Sequence, residues 1–275
     1  MTFNIVHNDN LNAPIVALHS SASNGGQWRQ LDEELNGRYS IHAPDLPGYQ
    51  RKGSQHLLAA DATDYVVQLI TSINQPIHLV GHSNGGRIAM NVALRRPDLI
   101  KSLTLYEPAI FHILSRDDAK GQQLHHGIRQ IAGIVTASAS TGEAHHGMKH
   151  FLDFWNGVGF WDSLPAQSQA KFADKITSVL SDFNEGFSDF WSLEDLRRLD
   201  VPALLMMGLE SPDVSQRATT LLANALPNSR IALLPELGHM APVFHPQWIN
   251  PRIIEHISSV ERQASGFSWP NRIAA

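Results

Sequence analysis

The chain has 275 residues, of which 43% are hydrophobic, so it is long enough to bury a full hydrophobic core in one large domain. Its net charge of -5 and pI of about 6.3, without any run of lysine or arginine, argue against nucleic acid or an anionic membrane as a partner. The absence of cysteine excludes disulfides and thiolate zinc sites.

The N-terminal residues do not match a signal peptide. Residues 1–6 lack the basic start and the apolar core of a signal peptide, and no later segment approaches the length of a membrane span. We therefore expect a cytoplasmic protein without a membrane partner, present as a monomer or a homodimer.

Strands and helices alternate along the first part of the sequence. Apolar runs predict strands at residues 3–7, 14–19, 39–42, 76–80 and 100–106. Helices are predicted from Trp28 onward, over the amphipathic segment 61–73, and directly after Ser83. Such alternation is typical of a mostly parallel sheet flanked by helices.

The alternation stops between about residues 110 and 198, where long helical segments rich in aromatic residues replace it. It returns with a strand at 201–208, a helix at 212–226, a strand at 230–234 and a final helix at 247–260. The sequence thus predicts an α/β core of residues 1–109 and 199–262, a helical insertion at 110–198, which the resemblance described below identifies as a cap, and a tail at 263–275.

The segment Gly81-His82-Ser83-Asn84-Gly85 lies between a predicted strand and a predicted helix. A serine at so tight a turn needs small residues two positions before and after it, and Gly81 and Gly85 meet that need. G-x-S-x-G in this setting is typical of a nucleophile elbow, in which the serine hydroxyl stands exposed above the sheet edge. Ser83 is therefore the candidate nucleophile.

Several motifs in one order resemble the α/β-hydrolase superfamily: the polar loop from His19, the turn at 45–48, the elbow at Ser83 and the segment 234–239. The resemblance implies an α/β-hydrolase fold with a helical cap, and it implies His239 as the general base. It also implies that the backbone N–H groups of Ser21 and Asn84 form an oxyanion hole.

The chemistry requires these residue types. A serine hydroxyl is a poor nucleophile at neutral pH, so an imidazole must accept its proton and later return it to the leaving group. A carboxylate must then fix the histidine tautomer and stabilise the imidazolium. Backbone N–H groups would bind the tetrahedral oxyanion.

The carboxylate is where this sequence departs from the common pattern. Many relatives carry an aspartate three residues after the glycine that ends the penultimate strand, but that position here is Ser211. Three acids compete for the role: Glu107, Glu210 and Asp213. We favour Glu107, which closes an apolar strand as in some branches of the superfamily, because its burial there needs a partner such as His239. Asp213 has another role available, facing the positive end of the helix that Ser211 is expected to cap.

Arg87 lies one turn into the helix after Ser83. We expect it to form a salt bridge within its helix, and the alternative is that it anchors a substrate carboxylate. The insertion also carries the histidines His125, His126, His145, His146 and His150 on its predicted helices. No carboxylate stands in the companion position of an H-E-x-x-H helix, so we expect solvated helix faces, no metal and no cofactor.

The predicted function is cleavage of a small to medium carboxylic ester, thioester or lactone through an acyl-enzyme at Ser83, with a small molecule as substrate. One alternative is a C–C hydrolase, lyase or cofactor-free oxygenase that uses His239 and Glu107 as a base. Another is a ligand-binding sensor with the hydrolase fold. A serine in place of aspartate as nucleophile argues against dehalogenase and epoxide hydrolase chemistry.

Overall fold

In the computed structural model, residues 12–50 and 61–264 are described. The strand predicted at 3–7 and residues 265–275 of the predicted tail lie outside these ranges. The structure contains a six-stranded sheet with the strand order β2-β1-β3-β4-β5-β6. The strands are β1 Ile15–Leu18, β2 Ile41–His42, β3 Ile77–His82, β4 Ile100–Tyr106, β5 Ala203–Gly208 and β6 Ser229–Leu234.

All five strand pairings among the described residues are parallel. The helices are α1 Arg29–Leu35, α2 Ala62–Ile73, α3 Asn84–Arg95, α4 Ala119–Thr141, α5 Ala144–Asn156, α6 Phe160–Ser163, α7 Ala166–Ala173, α8 Ile176–Ser188, α9 Asp213–Ala225, α10 Ala241–Phe244 and α11 Pro246–Ala264. The predicted fold class, a mostly parallel sheet flanked by helices, is confirmed.

Side chains of a strand point alternately to the two faces of a sheet. The strands here carry apolar side chains on both faces, and helices cover both. In β1, Val16 and Leu18 join a large cluster that includes apolar residues of α2, α3 and α9. Ile15 and Ala17 point the other way, into a smaller cluster with residues of α1 and α11. Burial of each leucine or isoleucine side chain contributes roughly 1.5–3 kcal/mol, so both faces stabilise the sheet.

Five helices, α4 to α8, lie between β4 and β5 in the chain. They pack on one another, and α8 also contacts α3, the helix that follows Ser83. Aromatic residues of α5 and α8, among them Phe151, Trp155 and Phe183, join the larger cluster. These helices coincide with the predicted insertion. The division of the chain into a core and a cap remains a prediction.

Some element boundaries differ from the predicted ones. Of the strand predicted at 39–42, only Ile41–His42 forms a strand in the structure. Strand β4 has the same bounds as predicted. The last helix runs to Ala264, four residues beyond its predicted end and into the predicted tail. None of the helices in the described part of the chain is long and apolar enough to span a membrane.

Candidate active site

Ser83 occupies a strained turn between β3 and α3. Its backbone lies at φ 53 and ψ -117, a region that residues with a side chain rarely adopt. A Cβ atom at Gly81 would lie 2.6 Å from the Gly85 carbonyl oxygen, and one at Gly85 would lie 2.4 Å from that of Leu18. Both glycines are therefore required for the backbone to turn this tightly.

Three side chains from different parts of the chain form one hydrogen-bonded row. Ser83 Oγ lies 3.0 Å from His239 Nε2, and His239 Nδ1 lies 2.7 Å from Glu107 Oε2. Ser83 follows β3, Glu107 follows the neighbouring β4, and His239 lies in the loop after β6, so all three meet at the carboxyl edge of the sheet. All three are buried. The structure thus brings together the three residues that the sequence favoured.

Glu107 is fully buried, and both of its carboxylate oxygens accept hydrogen bonds. The Gly208 N–H donates to Oε1 at 2.7 Å, and the Ser211 hydroxyl donates to the same oxygen at 2.6 Å. With the bond to His239 on Oε2, the carboxylate has three partners in place of water. A buried carboxylate without such partners would be strongly destabilising.

The two competing acids lie elsewhere. Asp213 has a side chain that is 66% exposed and pairs with Lys120 at 3.2 Å. Glu210 is exposed. The expectation that Ser211 caps α9 is wrong: the helix begins at Asp213, and the Ser211 hydroxyl is used by Glu107.

His239 is held by two aromatic neighbours that the sequence did not single out for this role. The indole of Trp155, from α5, stacks on the His239 ring with centroids 4.1 Å apart and planes 28° apart. On the other side, His82 Nε2 lies 2.8 Å from the His239 carbonyl oxygen. Burial holds the pKa of His82 well below its usual value, so a neutral ring donates this hydrogen bond. His82 therefore packs behind the nucleophile and also fixes the backbone of His239.

Ser21 and Asn84 both line a cavity that reaches Ser83. Asn84 is the first residue of α3, where backbone N–H groups lack helical partners and the helix dipole is positive. Ser21 lies in the loop after β1. The placement suits an oxyanion hole, and that role remains a prediction for both residues.

The loop that carries Ser21 is fixed by a buried histidine. His19 Nδ1 donates to the Ser20 carbonyl at 2.8 Å, and the Leu46 N–H donates to His19 Nε2 at 3.0 Å. The bond accepted by Nε2 requires a neutral ring, and burial lowers the pKa of His19 to about 4. The nearby Asp45 accepts a 2.8 Å hydrogen bond from the Gly25 N–H, which ties the turn at 45–48 to this loop.

Ser21 is also bound through its side chain, to an acid on α8. Its hydroxyl donates to Asp182 Oδ2 at 2.6 Å, and the Tyr49 hydroxyl donates to the same oxygen at 2.5 Å. Burial raises the pKa of Asp182 to about 6. Sequence reasoning missed Asp182. The available signal was an acid on the apolar face of an amphipathic helix, between the buried Val179 and Gly186.

Arg87 is buried, and its salt bridges are made to another helix. Its guanidinium lies 2.9 Å from Glu185 and 3.4 Å from Asp189, both at the end of α8, so the expectation of a salt bridge within its own helix is wrong. Arg87 Nε also donates to Asn84 Oδ1 at 2.8 Å. The two carboxylates occupy the guanidinium, and Arg87 thereby links α3 to α8 next to Ser83.

The five histidines singled out in the insertion lie on α4 and α5. In the ranges 12–50 and 61–264, no group of three or more His, Asp or Glu side chains has a metal-binding arrangement. His126, His145, His146 and His150 are exposed, as expected. His125 is half-buried and packs edge-on against Phe187 at 5.8 Å.

A family model of alpha/beta hydrolases matches residues 15–252, and the chain belongs to this alpha/beta hydrolase family. This confirms the resemblance seen in the motifs. The chain is 26% identical over 248 residues to pimeloyl-[acyl-carrier protein] methyl ester esterase of Aeromonas salmonicida, covering 85% of this chain and 91% of that protein. It is 22% identical over 251 residues to (E)-2-((N-methylformamido)methylene)succinate hydrolase of Acinetobacter baylyi, covering 86% and 87%.

Solved structures share the fold. Naproxen esterase (carboxylesterase NP) of Bacillus subtilis superposes with a TM-score of 0.64 and 21% identity, covering 89% of this chain and 83% of that one. A hydrolase of Oleispira antarctica superposes with a TM-score of 0.68 and 16% identity, covering 90% and 91%.

Proposed function

We propose that this protein is a serine hydrolase that cleaves a small to medium carboxylic ester, thioester or lactone through an acyl-enzyme at Ser83. The observation that carries the proposal is the buried row from Ser83 Oγ through His239 to Glu107, with spacings of 3.0 and 2.7 Å. The esterase and hydrolase names of several relatives support the same reaction class.

In the first half-reaction, Ser83 Oγ attacks the substrate carbonyl carbon and its proton passes to His239 Nε2. Glu107 holds the proton on His239 Nδ1 and stabilises the imidazolium that forms. The carbon–oxygen or carbon–sulfur bond to the leaving group then breaks. The leaving group takes the proton from His239 Nε2, and the acyl group stays on Ser83.

In the second half-reaction, His239 removes a proton from water, and the resulting hydroxide attacks the acyl carbon. Ser83 leaves with the proton that His239 returns, and the carboxylic acid is released. In both tetrahedral intermediates the backbone N–H groups of Ser21 and Asn84 bind the oxyanion. Each such donor is worth roughly 3–4 kcal/mol of the barrier.

The helices α4 to α8 act as the cap in this account, over a core of residues 1–109 and 199–262. Trp155 of α5 and Asp182 of α8 both border Ser83. The substrate therefore binds between these helices and the carboxyl edge of the sheet, where little water reaches the reacting atoms.

The test is a Ser83→Ala variant assayed on a panel of p-nitrophenyl esters, thioesters and lactones, with trapping of the acylated wild type by rapid acid quench and mass spectrometry. We expect a mass increase equal to the acyl group on the Ser83 peptide, and loss of about 10⁴-fold or more of the turnover in the variant. Substantial turnover by Ser83→Ala would favour base-driven chemistry at His239. Tight ligand binding without turnover by the wild type would indicate a sensor.

A further inference from the structure

Two cavities meet at Ser83, and their linings differ. The smaller has a volume of about 30 Å³ and contains Asp182 in its wall but not His239. The larger has a volume of about 190 Å³ and contains His239 in its wall but not Asp182. Besides His239, the walls of the larger cavity are mostly apolar, with residues such as Leu164, Phe172 and Val243.

The position of His239 gives the substrate a direction, an argument that rests on the proposed function. The leaving oxygen or sulfur must receive its proton from His239 Nε2, so the leaving group has to lie on the side of the site that His239 borders. That side is the larger cavity. The acyl group then extends away from His239, into the smaller cavity beside Asp182.

The smaller cavity limits the size of the acyl group. Its volume of about 30 Å³ is far below the 190 Å³ of the larger cavity, so the acyl group is the smaller of the two groups of the substrate. Ala109, Phe111 and Val179 supply apolar walls, and Asp182 supplies a charged one. A carboxylate in such a wall is costly unless something donates hydrogen bonds to it.

One carboxylate oxygen of Asp182 is available to accept a hydrogen bond from a ligand. Both of its hydrogen bonds, from the hydroxyls of Ser21 and Tyr49, are accepted by Oδ2. Within the described part of the chain, no hydrogen bond is made to Oδ1. A ligand group that donates a hydrogen bond to Oδ1 would give both carboxylate oxygens a partner. A ligand carboxylate in the same place would be repelled.

We propose that Asp182 is a specificity-determining residue, which binds the hydroxyl of a short acyl group. The substrate is then an ester of a short hydroxy acid with a larger apolar alcohol. A hydroxyl suits the smaller cavity better than an ammonium, because the neighbouring apolar walls cannot solvate a second charge.

The orientation is tested with two isomeric esters, benzyl acetate and methyl phenylacetate, which exchange the large and small groups across the ester bond. We expect kcat/KM for benzyl acetate to exceed that for methyl phenylacetate by about 10-fold or more, because phenylacetyl does not fit the smaller cavity. Equal rates, or faster cleavage of methyl phenylacetate, would overturn the orientation.

The role of Asp182 is tested with benzyl glycolate and benzyl propionate, which have acyl groups of similar size with and without the hydroxyl. For the wild type we expect kcat/KM to favour the glycolate by about 10- to 100-fold, the range for a hydrogen bond to a charged group. In Asp182→Asn this preference should fall to a few-fold. The matched control is Asp174→Asn, an exposed acid at the end of α7, which should keep the wild-type preference.

A purely structural role of Asp182, acting through Ser21, would lower kcat/KM on both benzyl esters equally and leave their ratio unchanged, which would contradict the proposal. So would a preference for benzyl glycinate over benzyl glycolate, or failure to cleave any benzyl ester. Labelling of Ser83 by a fluorophosphonate, measured on every variant, shows that the site is folded. If Ser83 is labelled but these ester tests fail, this inference is contradicted and the proposed function stands. If Ser83 is not labelled, the proposed function itself is contradicted.

Discussion

The Ser211 hydroxyl donates a 2.6 Å hydrogen bond to Glu107 Oε1. Ser211 occupies the position at which many relatives carry the acid of the triad. In the proposed triad the acid is Glu107, which follows β4, and Ser211 donates a hydrogen bond to it. The carboxylate therefore reaches His239 from a different strand and retains a full set of hydrogen bonds.

Glu107→Gln should lower kcat by about four orders of magnitude, the effect seen when the acid of a serine protease triad becomes an amide. The amide cannot stabilise the imidazolium, although it can still accept from Gly208 and Ser211. Steady-state kinetics on an activated ester gives the measurement. Asp213→Asn, which alters an exposed acid, should retain near-normal activity; the reverse pattern would assign the role to Asp213.

Ser211→Ala should lower the free energy of unfolding by about 1–3 kcal/mol, because Glu107 Oε1 loses a donor in a site that water does not reach. Urea denaturation measures the loss. Ser211→Thr keeps the hydroxyl and should recover most of the stability. If Ser211→Ala is as stable as the wild type, the hydrogen bond contributes nothing.

Arg87→Met should lower the free energy of unfolding by about 3 kcal/mol, because it leaves Glu185 and Asp189 without their shared cation. The control on the same helix is Arg95→Met, whose guanidinium is 48% exposed and pairs with surface acids, and which should cost less than about 1 kcal/mol. The free energies of unfolding are measured by guanidinium chloride denaturation. Equal decreases in the two variants would show that the buried salt bridges of Arg87 stabilise the protein no more than the exposed ones of Arg95.

Trp155→Leu should lower kcat by about 2- to 30-fold, because the imidazolium of His239 loses the aromatic face stacked at 4.1 Å. Trp155→Phe should retain more activity than the leucine variant. Trp161→Leu is the matched control: Trp161 is equally buried in these helices and has its ring contact with His145 instead. A similar loss of kcat in both leucine variants would show that the loss comes from disturbed packing of the helices and not from the contact with His239.

Acid should destabilise the protein through His19. Its folded-state pKa of about 4 lies below the ordinary histidine pKa of 6.5, so between these values the unfolded chain binds the proton and the folded chain does not. The stability from neutral His19 is full above pH 6.5 and falls by up to about 3 kcal/mol as the pH approaches 4.

The measurement is the unfolding free energy of the wild type and of His19→Gln at pH 7 and pH 4.5. The difference between the two proteins should shrink at the lower pH, because glutamine does not titrate. A difference that is independent of pH would mean that His19 titrates equally in both states, and a difference that grows at the lower pH would mean that His19 is charged in the fold.

Local pattern was enough to predict much of the fold and part of the site. The apolar runs of β3 and β4 are buried strands, and Gly81 and Gly85 are needed where the sequence placed them. Glu107 was inferred from the cost of burying an acid at the end of a strand. That argument uses only the apolar strand that precedes Glu107 in the sequence. The structure places Glu107 against His239.

Contacts between distant helices were beyond the sequence. Asp182 and Tyr49 are 133 positions apart, and Trp155 and His239 meet only because α5 folds back over the sheet. The partner of Arg87 was missed for the same reason, since α3 meets α8 through tertiary packing rather than helical spacing. Periodicity gives the buried face of a helix but not the helix it faces.

The central claim, that Ser83 is an activated nucleophile, is tested most directly by labelling with a fluorophosphonate probe followed by peptide mapping, with heat-denatured protein as control. We predict rapid labelling of Ser83 alone in the native protein, no labelling after denaturation, and none in Ser83→Ala. Absence of labelling by this probe and by a smaller one that the cap helices cannot exclude would contradict the account.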